Sequence, residues 1–475
     1  MNHPHSLRSA QRRVREIALA STFAVLCTSC SGGGSDGGSA GSAGSGGGTA
    51  THATVPTDVL TYHNDLARTG QYLTETTLTP ANVNAAGFGK VAFLATDGKV
   101  DAEPLYVSGV TIGGTAHNVL YVVTEHASVY AFDADNQTQL WKRSLLASNE
   151  TPSDNRNCSQ ITPEIGITAT PAIDRQRGAN GTLYAVAMSK DANGTYHQRL
   201  HALDLASGSE ALGGPTDIAA TYPGTGANSS NGVTVFDPKQ YAERQALALV
   251  GGTIYLGWTS HCDQGAYGGW VMAYDAGSLA QTSVINLTPN GSEGSVWMSG
   301  AGMASDGTAL YLLDANGTFD ATLDAQGFPA QGDYGNTFLK LGTSPRLSVS
   351  DYFATFDTIA QSNRDQDLGS GGVVVLPPFN DASGITRNLA VGAGKDGKIY
   401  VVDRNAMGKF NASRNAIWQE IDGQLAAGVF GMPAYFGNTV YIGAVGDKLK
   451  AFTIASAKLS GAPTSQSPET FAYPG

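Results

Sequence analysis

Trp297, Lys395 and Asp367 are the side chains of this sequence whose types could together carry out an oxidation. A bound ortho-quinone needs a flat apolar floor, an ammonium that draws electron density from its carbonyl, and a carboxylate within reach of the substrate hydroxyl. Indole, lysine and aspartate supply those three parts. Each also has a plainer reading. Trp297 serves equally as a packed core tryptophan, Asn316-Gly317 as a turn, Lys395-Asp396-Gly397 as a hairpin loop, and Asp365 with Asp367 as a solvated loop pair.

Other apparent motifs fail on context. Gly392-Ala393-Gly394-Lys395-Asp396-Gly397 spells GxGxxG but joins two strands and opens no helix, so it does not read as a dinucleotide loop. Gly33-Gly34-Ser35-Asp36-Gly37 spells GxSxG inside a Gly/Ser stretch, where composition explains it. The nine histidines show no metal-ligand spacing. His126, His261 and Glu164 fall on loops that could face a central site, and each reads as well as a structural or solvated residue.

The elements that must position these residues are strands. Past Thr57 the chain runs in short β-branched and aromatic segments punctuated by Gly, Asn and Asp, with no long 3.6-residue periodicity. A unit recurs: a first strand, a strand with a Leu-Tyr or Ile-Tyr core, a loop, and a strand ending in Ala-x-Asp. Copies centre on 118–135, 181–204, 252–275, 309–341, 388–403 and 439–454. This predicts an all-β propeller of at least six four-stranded blades, because one such sheet cannot bury both faces alone.

Composition agrees. Only 14% of the 475 residues are charged and 60 are Gly, against about 25% charged and ~7% Gly in ordinary soluble chains. The net charge of −12 argues against a nucleic-acid partner, and the basic leader makes the remainder more acidic still. Residues 1–29 read as an export signal, with four arginines before an apolar run from Ile17 to Leu26 that is too short to span a bilayer. The run ends in Cys27-Thr28-Ser29-Cys30, which resembles a bacterial lipobox with Cys27 where Leu is usual; an ordinary cleaved signal is the alternative. Residues 30–56 then read as a lipidated Cys30 and a flexible Gly/Ser tether, and 57–475 as the propeller. Ser31 after the cysteine implies outer-membrane sorting, so the membrane is reached through the lipid alone. Cys158 and Cys262 are the remaining cysteines of the exported chain, and an oxidising compartment predicts a bridge between them.

Ala131-x-Asp133 followed by Trp141 resembles the tryptophan-docking motif of pyrroloquinoline quinone (PQQ) propellers, and Ala202-x-Asp204-x-x-Ser207-Gly208 repeats it with Leu212 in place of Trp. Residues 61–83 resemble the opening segment of quinoprotein alcohol dehydrogenases, in which the next strand closes the ring against the last blade. The resemblance spans roughly 60–455. It implies either a ring closed with six or seven blades or an eight-bladed architecture shortened at its C-terminus.

The resemblance also implies a site. In quinoprotein dehydrogenases PQQ lies between a tryptophan floor and a vicinal disulfide, with Ca²⁺ held by Glu, Asn and a catalytic Asp. By position Trp297 would be the floor and Asn316 a Ca²⁺ ligand. Lys395 would polarise the quinone, Asp365 or Asp367 would act as the base, and Asp101 would contact the cofactor. Two departures count against an intact site: Gln264, with Asp263 beside it, replaces the Ca²⁺-binding Glu, and Cys158 is followed by Ser159 instead of a second cysteine. A neutral amide is a poorer ligand for a hard cation than a carboxylate. The sequence therefore points first to an exported platform that binds a protein or small-molecule ligand at a degenerate quinoprotein site. The alternative is an oxidoreductase that oxidises an alcohol or sugar with PQQ and Ca²⁺.

Overall fold

Six antiparallel blade sheets, with three small sheets of two or three strands between or beside them, follow one another along residues 58–473, the part of the chain described by the computed structural model. The leader, Cys30 and the Gly/Ser stretch lie outside the described residues. The first blade is Leu105–Ile112, Thr115–Val123, Ser128–Asp133 and Gln139–Ser144, hydrogen-bonded in chain order. The third (Ala248–Val250, Thr253–Gly257, Trp270–Asp275, Gln281–Asn286) and the fourth (Ala304–Ser305, Ala309–Leu313, Phe338–Gly342, Ser348–Phe353) repeat that order. In the second blade Ala172–Asp174, Thr182–Asp191, Tyr196–Asp204 and Thr216–Asp217 do the same, with an added ribbon from Glu150–Asp154. The fifth is Val373–Val375, Leu389–Ala393, Ile399–Asp403 and Gln419–Ile421. The sixth takes Ser465–Gln466 as an outer strand on Ala434–Phe436, Thr439–Ile442 and Lys450–Ala455. This is an all-β, multi-blade propeller.

Period-2 alternation explains how the blades stack. Along Thr182–Asp191, Leu183, Ala185 and Ala187 pack with the first blade, whereas Tyr184 and Val186 pack with the third. This strand is apolar on both faces because it has a neighbouring blade on both sides. The recurring Asp ends the third strand as a turn cap: Asp133 Oδ1 accepts the N–H groups of Asp135 and Asn136, and Asp204 Oδ1 those of Ala206 and Ser207. Trp141 then docks on the next blade, its Nε1 donating to Leu205 O at 3.1 Å. Its ring lies so close to Gly208 that a Cβ there would meet it at 2.8 Å, and Gly208 also holds a positive φ of 65°. Trp418 docks the fifth blade on the sixth in the same way, donating to Ala457 O at 2.6 Å.

The segment 59–69 ties the inner strands of all six blades together. Val59 bridges Tyr106, while the N–H groups of Ile173, Ser305, Val375 and Tyr435 donate to the carbonyls of Leu60, Leu66, Ala67 and Thr69. The third blade is reached by Arg68, which is fully buried. Its guanidinium donates to Leu247 O (3.2 Å), Met303 O (3.1 Å), Tyr62 O (2.8 Å) and the Thr61 hydroxyl (2.6 Å). Gly302 leaves room for it, since a Cβ there would lie 2.6 Å from the guanidinium.

The sequence expectation that the following strand closes the ring differs from what is observed. Residues 90–96 form no hydrogen-bonded strand: Val91 and Phe93 are exposed, and Leu94 packs on Leu120, Val122, Tyr130 and Phe132 of the first blade. Among the described residues no hydrogen bond or shared apolar cluster joins the first blade to the sixth. The outer position of the sixth blade is already taken by Ser465–Gln466, paired with Lys450 and Ala451.

Candidate binding site

Loops from four successive blades open on one face and enclose a cavity of about 280 Å³. Trp297 and Ser299 come from the connection into the fourth blade, where Met298, Ser299 and Gly300 all have positive φ. Asn316 follows the second strand of the fourth blade, Asp365 and Asp367 follow the short helix Thr358–Asn363, and Lys395 sits in the hairpin after Leu389–Ala393. Hydrogen bonds lock these loops to one another. Ser299 Oγ donates to Ser370 O, Ser370 Oγ to Val429 O, each at 2.7 Å, and Lys395 N to Asp367 O at 2.8 Å.

The acidic end of the cavity is organised by Lys395. Its Nζ lies 2.8 Å from Asp367 Oδ1 and also bonds Asp365, whose other donor is the Asn316 amide at 2.6 Å. That leaves Asn316 Oδ1 buried without a partner. Burial pushes the Asp367 carboxyl above the usual aspartate range, with Lys395 pulling the other way. Burial also opposes the charge on Lys395, but the two aspartates outweigh it and hold the ammonium above its ordinary value.

The other end belongs to Arg244. Its guanidinium lies over the Trp297 ring, 5.4 Å from the centroid, and donates one hydrogen bond of 3.3 Å to Gln160 Oε1. Burial lowers its pKa, and Asp101 and Glu125 raise it from a distance. An adjoining cavity of about 250 Å³ shares Arg244, Gln160 and Ser299 and adds Asp101, Tyr62 and Thr168. Glu125 behind it is pushed up to about 8 by burial first and by Asp101 beside it. Its Oε2 accepts from Gly166 N (2.8 Å) and the Thr168 hydroxyl (3.1 Å).

Six of the sequence candidates therefore share one cavity: Asp263, Trp297, Asn316, Asp365, Asp367 and Lys395. Asp101 lies apart from them in the adjoining cavity, paired with Lys99 at 2.8 Å. Gln264 corrects the expected ligand set. Its side chain turns away to donate to Asn157 O at 3.1 Å, because the positive φ of Cys262 and Asp263 swings Asp263 to the cavity instead. Cys158 and Cys262 are disulfide-bonded with Cα atoms 5.6 Å apart, joining the loop that bears Gln160 to the loop that bears Asp263. His126 pairs with Glu164 at 2.8 Å. His261 is buried beside the disulfide, with its pKa lowered to about 4 by burial. Sequence reasoning missed Arg244, Gln160, Ser299, Ser370 and Phe430. None sits in a motif, and only the chain path brings Arg244 over Trp297.

No protein-family model and no curated protein matches the chain. Solved structures do. The quinohemoprotein alcohol dehydrogenase ADHIIG from Pseudomonas putida HK5 superposes with a TM-score of 0.55 over 86% of this chain and 60% of that one, at 16% identity. The quinohemoprotein alcohol dehydrogenase from Comamonas testosteroni gives 0.53 over 83% and 58%, at 14% identity. The chain thus spans about three fifths of the length of these proteins, and at such identities the likeness is one of fold.

The residues present do not fit PQQ and Ca²⁺ as they are arranged. The Arg244 guanidinium stands over the Trp297 ring that would serve as the floor, 5.4 Å from its centroid, and the Lys395 ammonium is taken up by two aspartates. Asn316 Oδ1 is a free oxygen donor, yet among the described residues no three His, Cys, Asp or Glu side chains come together as a metal cluster.

Proposed function

We propose that this chain is an exported, lipid-anchored binding protein whose quinoprotein-type propeller has lost the redox site and kept an axial ligand pocket. The observation that carries the reading is Arg244 over Trp297, a charged guanidinium above the ring that would serve as a cofactor floor. Gln264 turned outward and the absence of a vicinal cysteine pair support it. The ligand is a small molecule or a segment of a partner protein presented to this face, and the acidic chain argues against nucleic acid. The sequence up to Cys30 supports attachment to the outer membrane through a lipid, so Cys30→Ser should move the protein from the membrane to the soluble extracytoplasmic fraction.

The test is calorimetric titration of PQQ with Ca²⁺ into the purified protein, followed by dye-linked turnover with alcohols and sugars. No tight binding and no turnover are expected. A second reading, a PQQ-dependent oxidoreductase, is favoured by one observation: Asn316, Asp367 and Lys395 line one cavity with Trp297. Tight PQQ binding lost in Asn316→Ala, with dye reduction by an alcohol, would establish it.

A further inference from the structure

Resting on the reading that the axial cavity binds and does not oxidise, we propose that its ligand is a small hydroxylated monocarboxylic acid, held by its carboxylate on Arg244.

A guanidinium carries five N–H donors in a planar fork that matches a carboxylate. Among the described residues Arg244 has no ion pair, and its one hydrogen bond is the 3.3 Å contact to Gln160. It lies over the Trp297 ring, and its side chain lines both the 280 Å³ cavity and the adjoining one. A half-buried cation with open donors is stabilised most by a group that pairs with it. A carboxylate is the ligand group that completes it, with the geometry of a paired fork.

The far end of the cavity sets the rest of the ligand. It presents oxygen acceptors: the unpartnered Oδ1 of Asn316 and the carboxylates of Asp263, Asp365 and Asp367. A second ligand carboxylate there would meet three aspartates against one lysine. A ligand ammonium would compete with Lys395, which already holds Asp365 and Asp367. Hydroxyl groups satisfy both constraints, because they donate to the unpartnered Asn316 Oδ1 and to carboxylate oxygens without adding charge. An apolar tail is disfavoured, since Arg244 stands over Trp297 and only Ala315 and Phe430 are further apolar side chains of the lining. The volume suits a molecule of sugar-acid size.

The experiment uses D-gluconate, D-glucose and hexanoate as probes on the full protein, read by calorimetry and by the change in tryptophan fluorescence that a ligand on the Arg244–Trp297 stack should cause. Gluconate should bind at least about ten-fold more tightly than glucose, which lacks the carboxylate, or hexanoate, which lacks the hydroxyls. Arg244→Gln should remove the gluconate preference over glucose. Arg244→Lys keeps the charge, controls for folding and should retain part of it. Equal affinity for gluconate and either control, or no response to gluconate at millimolar concentration, would overturn the proposal. A PQQ and Ca²⁺ arm run alongside separates the two failures: tight PQQ binding sinks the non-redox reading, whereas silence in every arm sinks the hydroxy-acid proposal alone.

Discussion

Lys395 Nζ lies 2.8 Å from the carboxylate of Asp367, whose side chain is 2% exposed, and it ties the hairpin of the fifth blade to the loop before that blade. The Asp367 carboxyl is raised by burial and pulled back by Lys395. A carboxyl whose native pKa stands above the unfolded value, about 3.9 for aspartate, loses stability for the fold as pH rises through that interval. Removing the lysine widens the interval. Lys395→Met should therefore cost little near pH 4 and about 2 kcal/mol at pH 8, less than for a fully enclosed pair because Lys395 keeps a quarter of its side chain in solvent. Denaturant midpoints at the two pH values measure it, and an equal deficit at both would show that Asp367 does not depend on Lys395.

Arg68 plays a different part, as the charged centre of the segment 59–69. Its four acceptors come from that segment itself and from Leu247 and Met303, and none is a carboxylate. Arg68→Met keeps much of the volume and leaves those three carbonyls and the Thr61 hydroxyl without its N–H donors. The expected loss is about 3 kcal/mol, since hydrogen bonds to a charged group are worth more than neutral ones. Arg68→Lys should recover only a small part, because one ammonium cannot span acceptors set around a planar fork. Equilibrium unfolding within about 0.5 kcal/mol of the wild type for Arg68→Met would show that the segment does not hold the blades.

The repeats were legible in the sequence because a strand between two blades must be apolar on both faces and must end where an Asp can cap the turn. The stretch from Thr182 to Asp204 does both. The convergence of Trp297, Asn316, Asp367 and Lys395 was legible for a related reason: each falls either after the second strand of a blade or just before the first strand of the next, and those loops open on one face. Trp418 was hidden because residues 404–417 separate it from Asp403, which breaks the spacing that marks Trp141. Arg244 was hidden because its role depends on where two connections cross. Tyr241–Ala242 pairs with Thr259–Ser260, and Trp297 arrives from a connection whose positive φ values no pattern of residue types announces. The departure at Gln264 was legible, but the positive φ of Cys262 and Asp263 beside it was not.

The disulfide between Cys158 and Cys262 closes a loop with a sequence separation of 104, for which chain-entropy arguments give roughly 4 to 5 kcal/mol and practice often less. Its loops also carry Gln160 and Asp263 into the cavity. Cys158→Ala with Cys262→Ala should lower stability by about 2 to 4 kcal/mol. It should also weaken any ligand of the axial cavity, while the blades stay folded. Thiol counting on the denatured protein should find neither cysteine free, and finding both free would remove the bridge as a stabilising element.

Glu243 offers the last test, through a buried acid that has no partner. It is 7% exposed, and neither carboxyl oxygen has a hydrogen-bond partner. Burial alone raises its pKa well above the usual range, with no neighbouring charge contributing. The native state therefore holds a proton that the unfolded chain releases above about pH 4.3, so the penalty is absent in acid and grows as pH rises toward the native pKa. Replacing the acid by an unbranched apolar chain of similar reach removes that linkage. Glu243→Met should leave stability near pH 4 almost unchanged, and raise it at pH 8 by on the order of 1 to 2 kcal/mol after the cost of repacking. Urea midpoints across that range decide the matter. A gain that is uniform with pH would mean that packing and not ionisation was relieved, and a loss at pH 8 would mean that the carboxyl serves the fold or its ligand in the charged form.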